Sequence, residues 1–162
     1  MPTQQGSLGL LNDPVAQKLL HSTIPARLAY TWLDGTPRVV PIWFHWNGRQ
    51  IVFASPPNAP KVRALKQNPA VAVTIDSNEQ PYKVLLIRGA ATVEVVNGVV
   101  PEYAAAAERY SGVEAGKAWI AQVGGLFKQM ARISVQPEWV GIMDFEARFP
   151  SAIESAMAGA GS

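Results

Sequence analysis

Apolar and polar residues alternate with a two-residue period through much of the chain, the signature of half-buried strands. Arg27 to Leu33 (RLAYTWL) alternates in this way, and the Asp34-Gly35 hairpin dipeptide follows it. Arg38 to Trp46 (RVVPIWFHW) is β-branched and aromatic, and Asn47-Gly48 ends it. Gln50 to Ser55 (QIVFAS) and Ala70 to Asp76 (AVAVTID) are further strands. Tyr82 to Val96 (YKVLLIRGAATVEVV) is one long strand or two, with a kink at Gly89. Met130 to Val135 and Trp139 to Phe145 are the last strands, bent at Pro137. Pro41 marks a bulge or a place without a ladder partner.

Helical periodicity is confined to four short stretches. Asp13 can cap a helix that starts at Pro14 and runs to about Ser22, with Val15, Leu19 and Leu20 on its apolar face. Lys61 to Gln67 follows a proline-rich loop, SPPNAP. Pro101 to Tyr110 carries four alanines, and Glu114 to Gln122 ends at Gly124-Gly125. Tight hairpins require antiparallel neighbours. Six or seven such strands predict a mainly β domain, a small antiparallel barrel with peripheral helices. The expected organisation is an N-terminal arm and short helix over 1–23, the barrel over 24–150 and a flexible tail over 151–162. Residues 1–12 are also expected to be mobile.

Composition then removes several chemistries. The chain has 162 residues, enough for one domain, with no cysteine and only His21 and His45 as histidines. Disulfides, iron–sulfur clusters, Cys nucleophiles and a three-His metal site are excluded. The N-terminal residues lack a basic region and an apolar core, so no secretory signal is expected. No apolar run approaches the ~20 residues of a membrane helix. A cytoplasmic protein is expected, and no membrane or nucleic-acid partner.

Charge changes the picture further. From Gly35 to Ile75 there is no Asp or Glu, while Arg38, Arg49, Lys61, Arg63 and Lys66 fall in that stretch. The total is +2, so the rest of the chain nets −3. A hydroxyl at Ser55, the start of the next helix and Lys61 together suit a phosphate. The competing reading is a solvated basic helix face. Among the aromatics, Trp32, Phe44, Trp46 and Phe53 read as packing, and Trp43 as a pocket wall. His45 reads as a structural donor or pocket liner rather than a base, and His21 as a cation-favouring helix end. Asp144 and Glu146 read as solvated. No GxSxG surrounds Ser55, so a hydrolase reading fails.

The stretch from Ile24 to Asp76 resembles the pyridoxamine 5′-phosphate oxidase-like, flavin-binding split-barrel family. The resemblance rests on LAYTWLDGTPRVVPIWFHWNGRQIVFASPPNAPKVRALKQNPAVAVTID. Its Asp-Gly hairpin, RVVPIWF strand, Ser-ended strand, following lysine and Asn68-Pro69 strand start stand in the family's order. The resemblance implies a homodimer with an FMN in each of two clefts between the chains. It implies that Arg38, Val39, Val40 and Pro41 pass along the flavin, that Trp43 lines the cleft, and that Ser55 and Lys61 hold the phosphate with Arg63 nearby. Arg38 or Arg132 would stand near the reduced ring. Pro60-Lys61 replaces the oxidase's Arg-Lys pair, Val84 its glutamine, and its C-terminal Arg-x-His pattern has no counterpart. The implied activity is hydride transfer between flavin and a small substrate. The alternatives are a deazaflavin-dependent reductase and a non-catalytic flavin binder. The substrate pocket would involve Pro101 to Leu126.

Overall fold

The computed structural model describes residues 3–161. Its seven strands are β1 (Ala26–Thr31), β2 (Pro37–Ile42), β3 (His45–Trp46), β4 (Ile51–Ser55), β5 (Ala70–Asp76), β6 (Val84–Asn97) and β7 (Gln129–Met143). They form one sheet in the order β2-β1-β5-β6-β7-β4-β3, with every neighbouring pair antiparallel. The helices are α1 (Pro14–Leu20), α2 (Pro60–Gln67), α3 (Pro101–Ser111), α4 (Val113–Leu126) and α5 (Ser151–Ala160).

The sheet is not closed by hydrogen bonds, because β2 and β3 are its two ends. Those ends are nevertheless joined by only Trp43 and Phe44, so the sheet must roll until its edges meet at that corner. This is the split-barrel form of the expected fold. The RVVPIWFHW run is therefore two strands rather than one. Pro41 lies on the edge strand opposite Arg27, where a missing N–H leaves no interior ladder bond unmade. The Asn47-Gly48 turn forms as expected: Asn47 Oδ1 accepts the N–H groups of Arg49 (2.9 Å) and Gln50 (2.7 Å), and Gly48 has φ +89°.

The long β6–β7 ladder bends once. Arg88 faces Trp139 and Gly89 faces Pro137, which leaves Glu138 as the extra residue of a bulge. A Cβ on Gly89 would lie 2.1 Å from the Gln136 carbonyl oxygen, so only glycine fits. The two final strands expected around Pro137 are thus one strand carrying a bulge, where a residue without N–H is tolerated.

β4 is buried along its whole length. Ile51 and Phe53 enter the barrel interior with Leu28, Phe44, Ile75, Ile87 and Ile133, whereas Val52 and Ala54 form a second cluster with Val100, Val123 and Met130 under α3 and α4. α3 is tied down by Arg109, whose guanidinium donates to the carbonyls of Ser22 (Nε, 3.0 Å) and Phe44, and by Tyr110 Oη donating to Ile24 O (2.9 Å). Arg132 of β7 donates from Nε (2.9 Å) and Nη2 (2.5 Å) to Glu102 Oε1 at the start of α3. That bond holds the Glu102 carboxyl below its ordinary range, against the opposing effect of burial.

Both chain ends carry structure beyond the barrel. In the arm, Leu10 is fully buried, and the Gln5 side-chain amide exchanges two hydrogen bonds with the Ile142 backbone (2.6 and 2.9 Å). The Gly6 N–H donates to Val140 O at 2.8 Å. A side-chain amide can mimic a strand partner, which polarity alone does not reveal. From Ser151 the chain is helical with no buried residue. Four alanines favour the helix, and Glu154 Oε1 accepts the Phe149 N–H (3.0 Å) just ahead of it. Among the described residues no helix is long and apolar enough to cross a membrane.

Gly89→Ala is expected to lower unfolding free energy by about 1–3 kcal/mol, the cost of forced overpacking, measured by urea titration; an unchanged midpoint would remove the bulge from its structural role. The Glu102–Arg132 bridge makes a pH prediction. Because the folded carboxyl titrates below its ordinary value of 4.5, its stabilisation is present at neutral pH. It is lost as pH falls through the lowered folded value. Wild type should therefore exceed Glu102→Gln in stability at pH 7, and the gap should shrink at pH 3; a constant gap would contradict the bridge.

Candidate functional site

Ser55 ends β4, the strand buried on both faces, and is only 2% exposed. Its Oγ has no hydrogen-bond partner. A buried hydroxyl left unpaired costs roughly 1–3 kcal/mol, so such an atom needs a reason. The chain then turns through Pro56–Ala59, closed by the Ala59 N–H on Pro56 O (3.0 Å), and enters α2. α2 carries Pro60 in its first turn, and no side chain caps it. Val62, Ala64 and Leu65 anchor it in the core.

Lys61 sits in that uncapped first turn, half-buried. Burial pushes its ammonium below the ordinary lysine value. Among the described residues the ion pairs are Arg27–Asp76, Lys83–Glu146, Arg132–Glu102 and Arg148–Asp13. None involves Arg38, Arg49, Lys61, Arg63 or Lys66, although Arg38 is near enough to Asp34 to help lower its carboxyl. A desolvated, unpaired ammonium and an orphaned hydroxyl flank one short loop that leads into an open helix N-terminus. This donor set fits a phosphate.

Arg38 and Arg63 meet at a residue assigned to packing by sequence. The Arg38 guanidinium lies 5.3 Å and that of Arg63 6.0 Å from the Trp32 ring centroid. Trp32 is half-buried, and its N–H donates to Thr36 O (2.8 Å) across the Asp34-Gly35 turn. A cavity of about 110 Å³ separates this turn from α2. The available signal was that Trp32 closes the hairpin that carries Arg38. Val39, 64% exposed, and Pro41 lie open on the same edge strand, with Val40 half-buried.

Other expected residues stand elsewhere. Trp43 stacks on Tyr110 of α3 (centroids 5.0 Å apart, planes 4° apart) and leans on Tyr103 (6.1 Å). It therefore lines the α3 side of the corner. Arg132, considered as a donor to a flavin ring, is occupied by Glu102. Trp119 Nε1 donates to Tyr103 Oη (2.8 Å), and Phe127 packs on the second cluster. His45 Nδ1 is buried without a partner. Burial first, then Arg109, push its pKa down, with Glu102 opposing. His21 Nδ1 bonds Gln17 O at 2.8 Å, as a helix-end histidine does. Asp144 is not simply solvated, since Oδ1 accepts three backbone N–H groups, and Glu146 pairs with Lys83 (3.0 Å).

Comparison with known proteins gives the family. The family model for pyridoxamine 5′-phosphate oxidase matches residues 13–144. Among solved structures, an F420 reductase is 29% identical with a TM-score of 0.62, over 77% of this chain and 94% of its own. A conserved hypothetical protein from Mycobacterium tuberculosis shares the fold at 16% identity and TM-score 0.67, covering 89% and 91% of the two chains. A heme-binding protein from Mycobacterium smegmatis does so at 20% identity and TM-score 0.58, covering 83% and 54%. No curated protein matches the sequence. With the family model spanning the strands, the Ser55 loop and α2, the chain belongs to the pyridoxamine 5′-phosphate oxidase family.

Proposed function

We propose that the protein is a cytoplasmic oxidoreductase that binds FMN and passes hydride between the flavin and a small substrate. The observation that carries this reading is the orphaned, buried Ser55 hydroxyl one loop away from the desolvated, unpaired Lys61. When bound, the coenzyme supplies the two-electron chemistry, which a chain without cysteines or a carboxylate pair does not supply itself. Ser55 Oγ–H donates to a phosphate oxygen, Lys61 neutralises its charge, and the first turn of α2 adds its dipole. Arg38, fixed against Trp32, offers a cation beside the edge strand to balance negative charge on a reduced ring. Val39, Val40 and Pro41 supply an apolar strand edge for a planar group. That same open edge suits a second copy of the chain, so we place the coenzyme cleft in a homodimer.

A second reading replaces FMN with the deazaflavin F420. The specific observation in its favour is the F420 reductase at 29% identity. Both coenzymes present a phosphate, so the Ser55–Lys61 argument serves either. Titrating purified protein with each, read by fluorescence quenching, separates them. Tighter FMN binding supports the first reading, tighter F420 binding the second, and binding of neither overturns both. Lys61→Ala should weaken the bound coenzyme by about 1.5–3 kcal/mol, the range for a charged hydrogen bond, and Ser55→Ala by about 1 kcal/mol. Unchanged affinity in Lys61→Ala would displace the phosphate from this loop. Size-exclusion chromatography with light scattering checks the dimer, and a monomer that holds coenzyme tightly would contradict the shared cleft.

A further inference from the structure

Of the five unpaired cations in the acid-free stretch, Arg49 is not explained by the coenzyme site. Lys61, Arg63 and Lys66 belong to α2, and Arg38 joins Arg63 at Trp32. Arg49 stands in the turn that begins β4, whereas Ser55 ends that strand. Six residues of extended chain separate them by roughly 20 Å.

At this other end of β4 there is an open cleft of about 770 Å³, within the size range of small-molecule sites. One wall comes from the docked N-terminal arm and α1, including Asn12 and His21. The opposite wall is the β3–β4 hairpin, with His45, Asn47 and Arg49, and Gln136 of β7 completes the lining. No aspartate or glutamate lines it.

The lining carries polar groups that nothing else uses. Arg49 is exposed and forms no ion pair among the described residues. Asn47 spends its Oδ1 on the turn's own N–H groups, which leaves its amide NH₂ outside those bonds. His21 bonds Gln17 O through Nδ1, so that nitrogen carries the proton and Nε2 is left over. His45 Nδ1 is buried with no partner, a second orphan in addition to Ser55 Oγ. The Arg49 guanidinium and the Asn47 amide, in a lining without a carboxylate, match an oxyanion.

We propose that this cleft is a second binding site, for a small molecule carrying a carboxylate or phosphate, with Arg49 as its charged anchor and the two histidines as its walls. It is separate from the Ser55–Lys61 phosphate site and does not depend on which coenzyme occupies that one. The docking of the arm, through Leu10 and Gln5, is what gives the cleft its second wall.

The protein's two histidines make the test direct, because both line the cleft and each gives its own resolved Cε1–H signal by NMR. Full-length protein is titrated with inorganic phosphate and, separately, with succinate, at constant pH and ionic strength. Saturable shifts of both histidine signals are expected with at least one anion, and the anion with the tighter saturation identifies the ligand's charged group. Arg49→Gln should weaken the saturating anion at least tenfold, while Lys61→Ala should leave it unchanged. Unsaturable shifts with both anions would overturn the proposal, as would equal binding in Arg49→Gln or loss of the effect in Lys61→Ala. Since coenzyme titration reads the other end of β4, failure here leaves the oxidoreductase reading standing, and the reverse holds as well.

Discussion

The bulge at Gly89 and Pro137 is the constraint on which the rest of the molecule depends. Up to it, Val84–Arg88 of β6 pairs with β5, whose ladder runs on past the bulge only to Ala90. Beyond it, Ala131–Val135 of β7 pairs with β4. One irregularity therefore divides the sheet into two halves that share the same two long strands. The Gln136 carbonyl lies where a side chain on residue 89 would go, so the close approach of the strands and the bend are the same fact. At the opposite corner the halves are linked again by Trp43 and Phe44, with Arg109 holding the Phe44 carbonyl. A sheet bent at one seam and tethered at another is a barrel without a closed ladder.

That geometry explains why β4 ends in polar groups of two different kinds. β4 is sandwiched between the barrel interior and the cover formed by α3 and α4. Its burial excludes water from any polar group it ends on. Ser55 is orphaned because the strand delivers it into that dry layer before the chain turns out to α2. The hairpin at the other end packs on α3 on one side and faces the N-terminal arm across an open cleft on the other. The same strand thus ends in one enclosed and one open set of polar groups, neither lined by a carboxylate.

Much of this was legible in the sequence. The Asp34-Gly35 and Asn47-Gly48 dipeptides marked two real turns, each with a glycine at positive φ. The Gly89 kink was visible because glycine has no reason to interrupt a β-branched run otherwise. The break at Trp43–Phe44 was not visible, since aromatic residues suit a strand, and the corner is imposed by α3 stacking Tyr110 on Trp43. The docked arm was hidden for a related reason: Gln5 and Leu10 act through partners more than a hundred residues away. In the site, the local run from Ser55 to Lys61 could be read directly. The meeting of Arg38 with Arg63 at Trp32 could not, because it needs β2 and α2 placed side by side.

Sequence left two explanations of the basic stretch, a solvated face and an anion site, and burial separates them. Arg63 and Lys66 are exposed, and an exposed cation loses almost nothing by standing unpaired. For these two residues the solvated face is sufficient explanation. Lys61 differs, because burial disfavours its charged form and no carboxylate compensates. Ser55 differs for the same reason, since water that would satisfy its hydroxyl has been excluded by β4's own packing. Two neighbouring groups that each lose by burial, where the adjacent cations lose nothing, are not accounted for by solvation. The proposed phosphate would answer both, accepting a hydrogen bond from the hydroxyl and carrying negative charge to the ammonium.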